Sequence, residues 1–114
     1  MVKNPQTIEN FVKAMIEASA FMRANHERGV ALLQKYIKVD RQLAELGYKF
    51  LLNDLTSYTY VTPKGLKTAQ DIIALRDPKI RSFNVEELLD QRILTKVAKS
   101  GYVEEIERKY KLRP

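Results

Sequence analysis

The sequence predicts an all-α protein of five to six short helices in a compact or dimeric bundle, with residues 1–114 forming one helical domain. Two observations support this prediction: apolar residues recur at three- and four-residue steps, and a short polar residue that can cap a helix precedes each such run. Five helix starts follow from this pattern: Asn4-Pro5, Asn25-His26, Asp40-Arg41, Thr62-Pro63 and Asn84 with Glu87.

The first helix is predicted from about Pro5 to Ala24, because its apolar residues fall on one stripe. Ile16 and Phe21 widen the stripe, so this helix should contact neighbours on more than one side. The stripe itself consists of Ile8, Phe11, Val12, Met15, Ser19 and Met22.

Asn25 is expected to cap a second helix of about twelve residues. Asp40 is expected to cap the third, in which Gly47 would permit close helix approach. The predicted buried face of this third helix consists of Leu43, Leu46, Phe50, Leu51 and Leu55.

The second half of the chain alternates connectors with helices. Residues 53–62 are β-branched and aromatic, which predicts an extended connector. Thr62-Pro63 opens a fourth helix that should end before Pro78, and residues 77–83 form a second connector. A fifth helix is predicted from Asn84 to Ser100, with a last short helix from Tyr102 to about Lys111.

Composition limits the function. The chain has 114 residues, a net charge of +6 and no cysteine, which excludes disulfides and thiolate metal sites. No apolar run reaches the roughly 18 to 20 residues that span a bilayer, so membrane insertion is not expected. Lys and Arg alternate with Asp and Glu along the chain, which favours a solvated mixed surface over a specific nucleic-acid site.

The residues predict no enzyme, no cofactor and no metal site. His26 is the only histidine and is expected at the surface. Tyr58 and Tyr60, flanked by hydroxyl residues, form the most ligand-like group, although packing over a helical core needs no ligand and is the favoured interpretation. Lys79 and Arg81 in the second connector are a weaker hypothesis for an anion site.

The order of these motifs resembles the C-terminal segment of type 2 periplasmic substrate-binding proteins of ABC transporters, in the group that binds nitrate, sulfonates, taurine and thiamine precursors. The matching segments are Asn4-Pro5-Gln6-Thr7, Ala24-Asn25-His26-Glu27, Tyr36-Ile37-Lys38-Val39-Asp40, Pro63-Lys64-Gly65-Leu66 and Val85-Glu86-Glu87-Leu88-Leu89-Asp90. His26 stands where the family usually has proline, and the tail from Thr95 is longer than the family pattern.

The resemblance covers about residues 4 to 95 and implies a structural, non-catalytic part of a solute-binding protein, whose partner is an ABC permease. Members have two α/β lobes that hold the solute mainly through earlier residues, so no family ligand residue is carried over. The parent would be periplasmic or extracytoplasmic. The chain as given shows no signal peptide and would stay in the cytoplasm if expressed alone.

Two other classes of function stay open from the residues alone: a stand-alone helical protein-interaction module, and a small basic nucleic-acid-binding protein. Helices that normally cover a sheet carry an apolar face without a partner once the sheet is absent. The isolated chain is therefore expected to form a homodimer, with an interface at Phe11, Ile16, Phe21 and Met22.

Overall fold

The computed structural model describes residues 3–54 and 62–114, and over these ranges it contains six α-helices and no strand. The all-α prediction is confirmed. The α-helices are α1 (Pro5–Ala24), α2 (His26–Ile37), α3 (Arg41–Asp54), α4 (Pro63–Ile73), α5 (Arg92–Lys99) and α6 (Tyr102–Lys109), with short 3₁₀ helices at Pro78–Ser82 and Val85–Leu88. No described helix is long and apolar enough to cross a membrane.

The chain divides into two compact units. The first unit contains α1, α2, α3, α6 and α5 from Ile93 onward, and the second contains α4 and both 3₁₀ helices. The predicted connector of residues 53–62 and the predicted core residue Leu55 lie largely or wholly outside the described residues.

Three of the predicted helix caps form as expected. Asn4 Oδ1 accepts from the backbone N–H of Thr7 at 3.2 Å, and Asp40 Oδ1 accepts from that of Leu43 at 2.8 Å. The Thr62 hydroxyl oxygen accepts from the N–H of Gly65 at 3.0 Å. Each bond satisfies a first-turn donor that would otherwise lack a partner.

Asn25 behaves differently. It precedes α2 as predicted, but its side chain makes no capping bond to that helix. Instead its amide donates to the carbonyl of Phe21 at 2.9 Å, which satisfies an acceptor at the end of α1. The predicted helix boundary is confirmed, while the predicted capping contact is wrong.

The first core cluster of the first unit joins α1 to α5 and α6. Its buried residues are Ile16 and Ala20 of α1, Val97 of α5, and Val103 and Ile106 of α6. Polar contacts join the same helices: the Glu17 carboxylate of α1 accepts from both the ammonium of Lys109 and the hydroxyl of Tyr110.

The second core cluster joins α2 to α3 through Val30, Ala44 and Tyr48. Tyr48 is buried, and its hydroxyl donates to the backbone carbonyl of Met22 near the end of α1. The Tyr48 ring lies directly against Gly29, at the place where a Cβ atom of any other residue would stand. Gly29 is thus required for this close helix contact.

The prediction of a buried face on α3 is wrong for three of its residues, whereas Leu51 is half-buried. Leu43, Leu46 and Phe50 are 51%, 50% and 64% exposed, whereas Ala44 and Tyr48 are buried. The physical reason is that α3 carries apolar residues on two faces, and the face with the small Ala44 and the Tyr48 ring fits closely over Gly29. We call Leu43, Leu46 and Phe50 the α3 row.

The predicted stripe of α1 is also partly wrong. Ile8, Phe11 and Met15 are exposed, and the buried positions are Ile16 and Ala20. Val12 of the predicted stripe packs against the core shared with α5 and α6, but the fully buried residues of α1 lie beside that stripe.

The predicted fifth helix is interrupted. A 3₁₀ turn covers Val85–Leu88, and α5 begins only at Arg92. The side chain of Asn84 accepts from the N–H of Glu86, and Asp90 Oδ1 accepts from the N–H of Arg92 at 3.3 Å. Asp90 also pairs with the Arg92 guanidinium, which lowers the pKa of its carboxyl to about 2. Two short Asx-type turns thus replace one continuous helix.

The second unit is organised by a buried amide. The Gln70 side chain of α4 is 4% exposed and donates to the carbonyls of Ile80 and Phe83, at 2.6 and 2.7 Å. The predicted connector of residues 77–83 is consequently an ordered 3₁₀ segment, Pro78–Ser82, attached to α4.

The contact between Gly29 and Tyr48 makes a testable prediction. Gly29→Ala should lower the free energy of unfolding by about 1 to 3 kcal/mol, because the new methyl group overlaps the Tyr48 ring. Urea denaturation would measure it. Gly47→Ala is the matched control, since its methyl group would meet only a Leu33 methyl at 3.9 Å, and helix propensity predicts a gain of up to about 1 kcal/mol. Equal effects of the two changes would contradict the packing described here.

Candidate functional site

An open groove of about 780 Å³ runs beside α3 in the first unit, and we call it the α3 groove. Its apolar lining comes from Leu43, Leu46 and Leu52, with Tyr48 contributing its ring. Its polar lining includes His26 and Glu45. The groove thus combines exposed leucines with a group of charged side chains, and a concave surface of this mixed lining is a candidate place for a ligand or partner to bind.

The charged group consists of His26, Glu27, Arg41 and Glu45, which we call the His26 cluster. His26 Nε2 lies 2.7 Å from a Glu45 oxygen, and its Nδ1 lies 3.3 Å from a Glu27 oxygen. Both ring nitrogens therefore face carboxylates.

Arg41 connects the same two carboxylates from the other side. Its two terminal nitrogens donate to the two oxygens of Glu27 at 3.1 and 2.9 Å. Its Nε and one terminal nitrogen donate to Glu45 Oε1 at 3.1 and 2.7 Å. This fork geometry is the arrangement in which a guanidinium binds carboxylates most strongly.

Helix ends position these side chains. His26 and Glu27 are the first two residues of α2, Arg41 is the first of α3, and Glu45 lies one turn further along α3. The His26 ring contacts the buried Tyr48 ring edge to face, with centroids 5.0 Å apart. The cluster is thereby attached to the second core cluster.

The electrostatic consequences follow from these bonds. Hydrogen bonds from Arg41, followed by the charge of Arg41, lower the pKa of Glu27. Hydrogen bonds from Arg41 and then from His26 lower the pKa of Glu45. Burial, and to a lesser degree the charge of Glu45, raises the pKa of Tyr48.

The ligand atoms of His26, Glu27 and Glu45 lie within 4.8 Å of one another, a spacing that a metal ion could use. However, Arg41 already bonds to both carboxylates, so a cation would have to displace a guanidinium before it could bind. We therefore interpret the cluster as an ion-pair network that joins the ends of α2 and α3.

The structure separates the residues of the predicted interface. Phe11 is exposed, but Ile16 is buried in the first core cluster. Phe21 is partly buried against the Tyr110 ring, and Met22 packs against the second core cluster. These side chains serve the interior of the first unit as well as its surface, so they do not form one exposed patch.

The other predicted site residues have different outcomes. Tyr58 and Tyr60 lie outside the described residues. His26 is exposed, as expected, but it belongs to the His26 cluster. Glu27, Arg41 and Glu45 were not predicted as site residues. The four-residue spacing of Arg41 and Glu45 indicates their ion pair, whereas the pairing of Glu27 with Arg41 depends on the tertiary fold.

No protein-family model, curated protein or solved structure matched the chain. The resemblance to solute-binding proteins stays a prediction that rests on the order of its motifs.

The lowered pKa of Glu45 predicts a pH-dependent contribution to stability. A carboxyl whose pKa is lower in the folded protein stabilises the fold above its unfolded pKa of about 4.5, and this contribution is lost as the pH falls through the folded value. Glu45→Gln should therefore be less stable than the wild type near pH 7, and the difference should be smaller at an acidic pH well below 4.5.

Urea denaturation at both pH values would measure this effect. Glu105→Gln on α6 is a matched control that leaves the His26 cluster intact. High salt should reduce the difference at neutral pH, because exposed ion pairs are screened. A difference that is the same at both pH values would show that the Glu45 charge is not responsible.

Proposed function

We propose that this chain is the helical C-terminal part of an ABC-transporter solute-binding protein, with a structural and non-catalytic role. The observation that carries the proposal is the α3 row, an apolar helix face that the described helices of the first unit leave exposed. The order of the sequence motifs supports the proposal that an α/β lobe of a solute-binding protein covers this face.

The α3 row has the spacing of a buried helix face. Its members are separated by three and four residues, so they lie on one side of α3. The opposite side of the helix already packs on α2 through Ala44 and Tyr48. A helix that is apolar on two sides is typical of a position between two layers.

The α1 helix repeats this arrangement. Ile8, Phe11 and Met15 follow one another at three- and four-residue steps and are exposed, while Ile16 and Ala20 are buried on another side. Exposed apolar patches of this kind mark contact surfaces. In the parent protein, we propose, an α/β lobe covers both rows.

In this proposal the helices act through the architecture of the parent. They complete one lobe of a two-lobed protein, whose closure around a solute is recognised by a membrane permease. The parent would be located outside the cytoplasmic membrane. The His26 cluster would then maintain the α2 and α3 geometry, and no step of the transport cycle is assigned to it.

This proposal predicts the size and location of the native protein. Antibodies raised against the chain should detect, in the source cells, a polypeptide with an additional α/β region, released with the periplasmic or extracytoplasmic fraction. Immunoblotting of fractionated cells, followed by mass spectrometry of the band, would test this. A cytoplasmic protein no larger than this chain would refute the proposal and favour the second candidate.

The second candidate is a stand-alone helical interaction module. The observation that favours it is that the first unit has its own buried core around Val30 and Val97, together with the exposed α3 groove. The occupant we infer is a second copy of the chain, because a twofold axis brings the same apolar patch of both copies together. The relevant surface is then the α3 row rather than the predicted set that includes Ile16.

The isolated chain should therefore form a weak, concentration-dependent homodimer. Phe50→Asp should shift the equilibrium to monomer without unfolding, because the Phe50 ring is 64% exposed and its loss leaves the core intact. The control is Leu75→Asp in the second unit. Leu75 is more exposed than Phe50, and its replacement should leave association unchanged. Size exclusion with light scattering, over a range of concentrations, would measure the oligomeric state of both variants. Dissociation by Leu75→Asp but not by Phe50→Asp would rule out the α3 row as the dimer interface.

A further inference from the structure

A second groove, of about 420 Å³, lies in the second unit between α4 and the 3₁₀ segment that follows it. Three cationic side chains, Lys64, Lys67 and Arg81, line this groove, and Glu86 is the only acidic residue among its described lining residues. We propose that this basic groove binds a small oxyanion of the phosphate type. The proposal is independent of the function proposed above.

Two of the cations share one side of α4. Lys64 and Lys67 are three residues apart, which places them on the same helix face within one turn of each other. Gln70, three residues further along, also lines the groove. One wall of the basic groove is therefore a regular helix surface with a fixed spacing of its charges.

Gln70 also fixes the opposite wall. Its amide nitrogen donates to the carbonyls of Ile80 and Phe83, which flank Arg81 in the chain. Its amide oxygen accepts from the ammonium of Lys67 at 3.1 Å. A single buried side chain thus restrains the backbone on both sides of Arg81 and orients Lys67 before any ligand arrives.

The charges of this groove are incompletely neutralised. Lys67 pairs with Asp71 at 3.2 Å, but no ion pair joins the side chains of Lys64 or Arg81 to another residue in the described ranges. Arg81 can offer two parallel N–H donors to an oxyanion, and Lys64 adds a flexible point charge. Phe83 supplies an apolar wall, which reduces local screening of these charges.

The test is a titration of the full-length ¹⁵N-labelled chain with sodium phosphate at neutral pH, followed by two-dimensional NMR. Sodium chloride at matched ionic strength is the parallel titration. We expect saturable shifts confined to residues 64–70 and 80–86 with phosphate and none with chloride. The double variant Lys64→Gln, Arg81→Gln should weaken binding by at least about tenfold, because two charge-assisted contacts are lost.

Two single variants separate a specific groove from general attraction to a basic protein. Glu86→Gln should strengthen phosphate binding, since it removes the acidic side chain of the lining. Lys79→Gln should have no effect, because Lys79 lies in the same 3₁₀ helix but does not line the groove.

The proposal is overturned if phosphate and chloride give the same non-saturating shifts, or if Lys79→Gln weakens binding as much as the double variant does. If the double variant loses its dispersed spectrum and is unfolded, the phosphate affinity of Glu86→Gln becomes the deciding measurement. An unchanged phosphate affinity in Glu86→Gln would also overturn the proposal.

Discussion

The packing of Tyr48 is the constraint on which the first unit depends. Its ring is buried against Gly29 of α2, and its hydroxyl donates to the Met22 carbonyl near the end of α1, so one side chain of α3 contacts two other helices. A buried phenol must keep a hydrogen-bond partner, which fixes the rotation of α3 about its own axis. The members of the α3 row lie about 140 to 160° around the helix from Tyr48 at 3.6 residues per turn, and they must therefore face outward.

Helix α1 connects the Tyr48 contact to the rest of the first unit, because it packs on both core clusters. Ile16 and Ala20 contribute to the core shared with α5 and α6, while Met22 packs on the core shared by α2 and α3. Exposed ion pairs such as Lys96 with Glu9 accompany these contacts, but such pairs contribute little to stability in water. Apolar packing along α1 therefore holds the two core clusters together, and the exposed ion pairs add little to it.

The sequence predicts those features that depend on a few neighbouring residues. The caps at Asn4, Asp40 and Thr62 form because each donor lies three residues away from its acceptor in the chain. Periodicity could not decide which face of α3 is buried, since both faces carry apolar residues and the choice depends on Gly29 in another helix. Gln70 illustrates the same limit, because a polar residue at a core position is recognised only when its partners, the carbonyls of the 3₁₀ segment, are known. In the His26 cluster, likewise, only the pair within α3 could be predicted.

The energetics of the α3 row help to choose between the two proposed functions. Fully burying one such side chain contributes about 1.5 to 3 kcal/mol, so the half that is still exposed on each of the three residues offers about 3 kcal/mol in total. Two copies would together gain about 6 kcal/mol, which is comparable with the roughly 4 to 15 kcal/mol that association of separate molecules costs. A homodimer through this row alone is therefore expected to be weak.

A covering layer within the same polypeptide avoids most of that association cost, because the linking chain keeps the two surfaces at a high effective concentration. The same exposed row is thus a more effective contact inside a larger protein than between free copies, and this difference favours the proposal that the chain is part of a two-lobed parent.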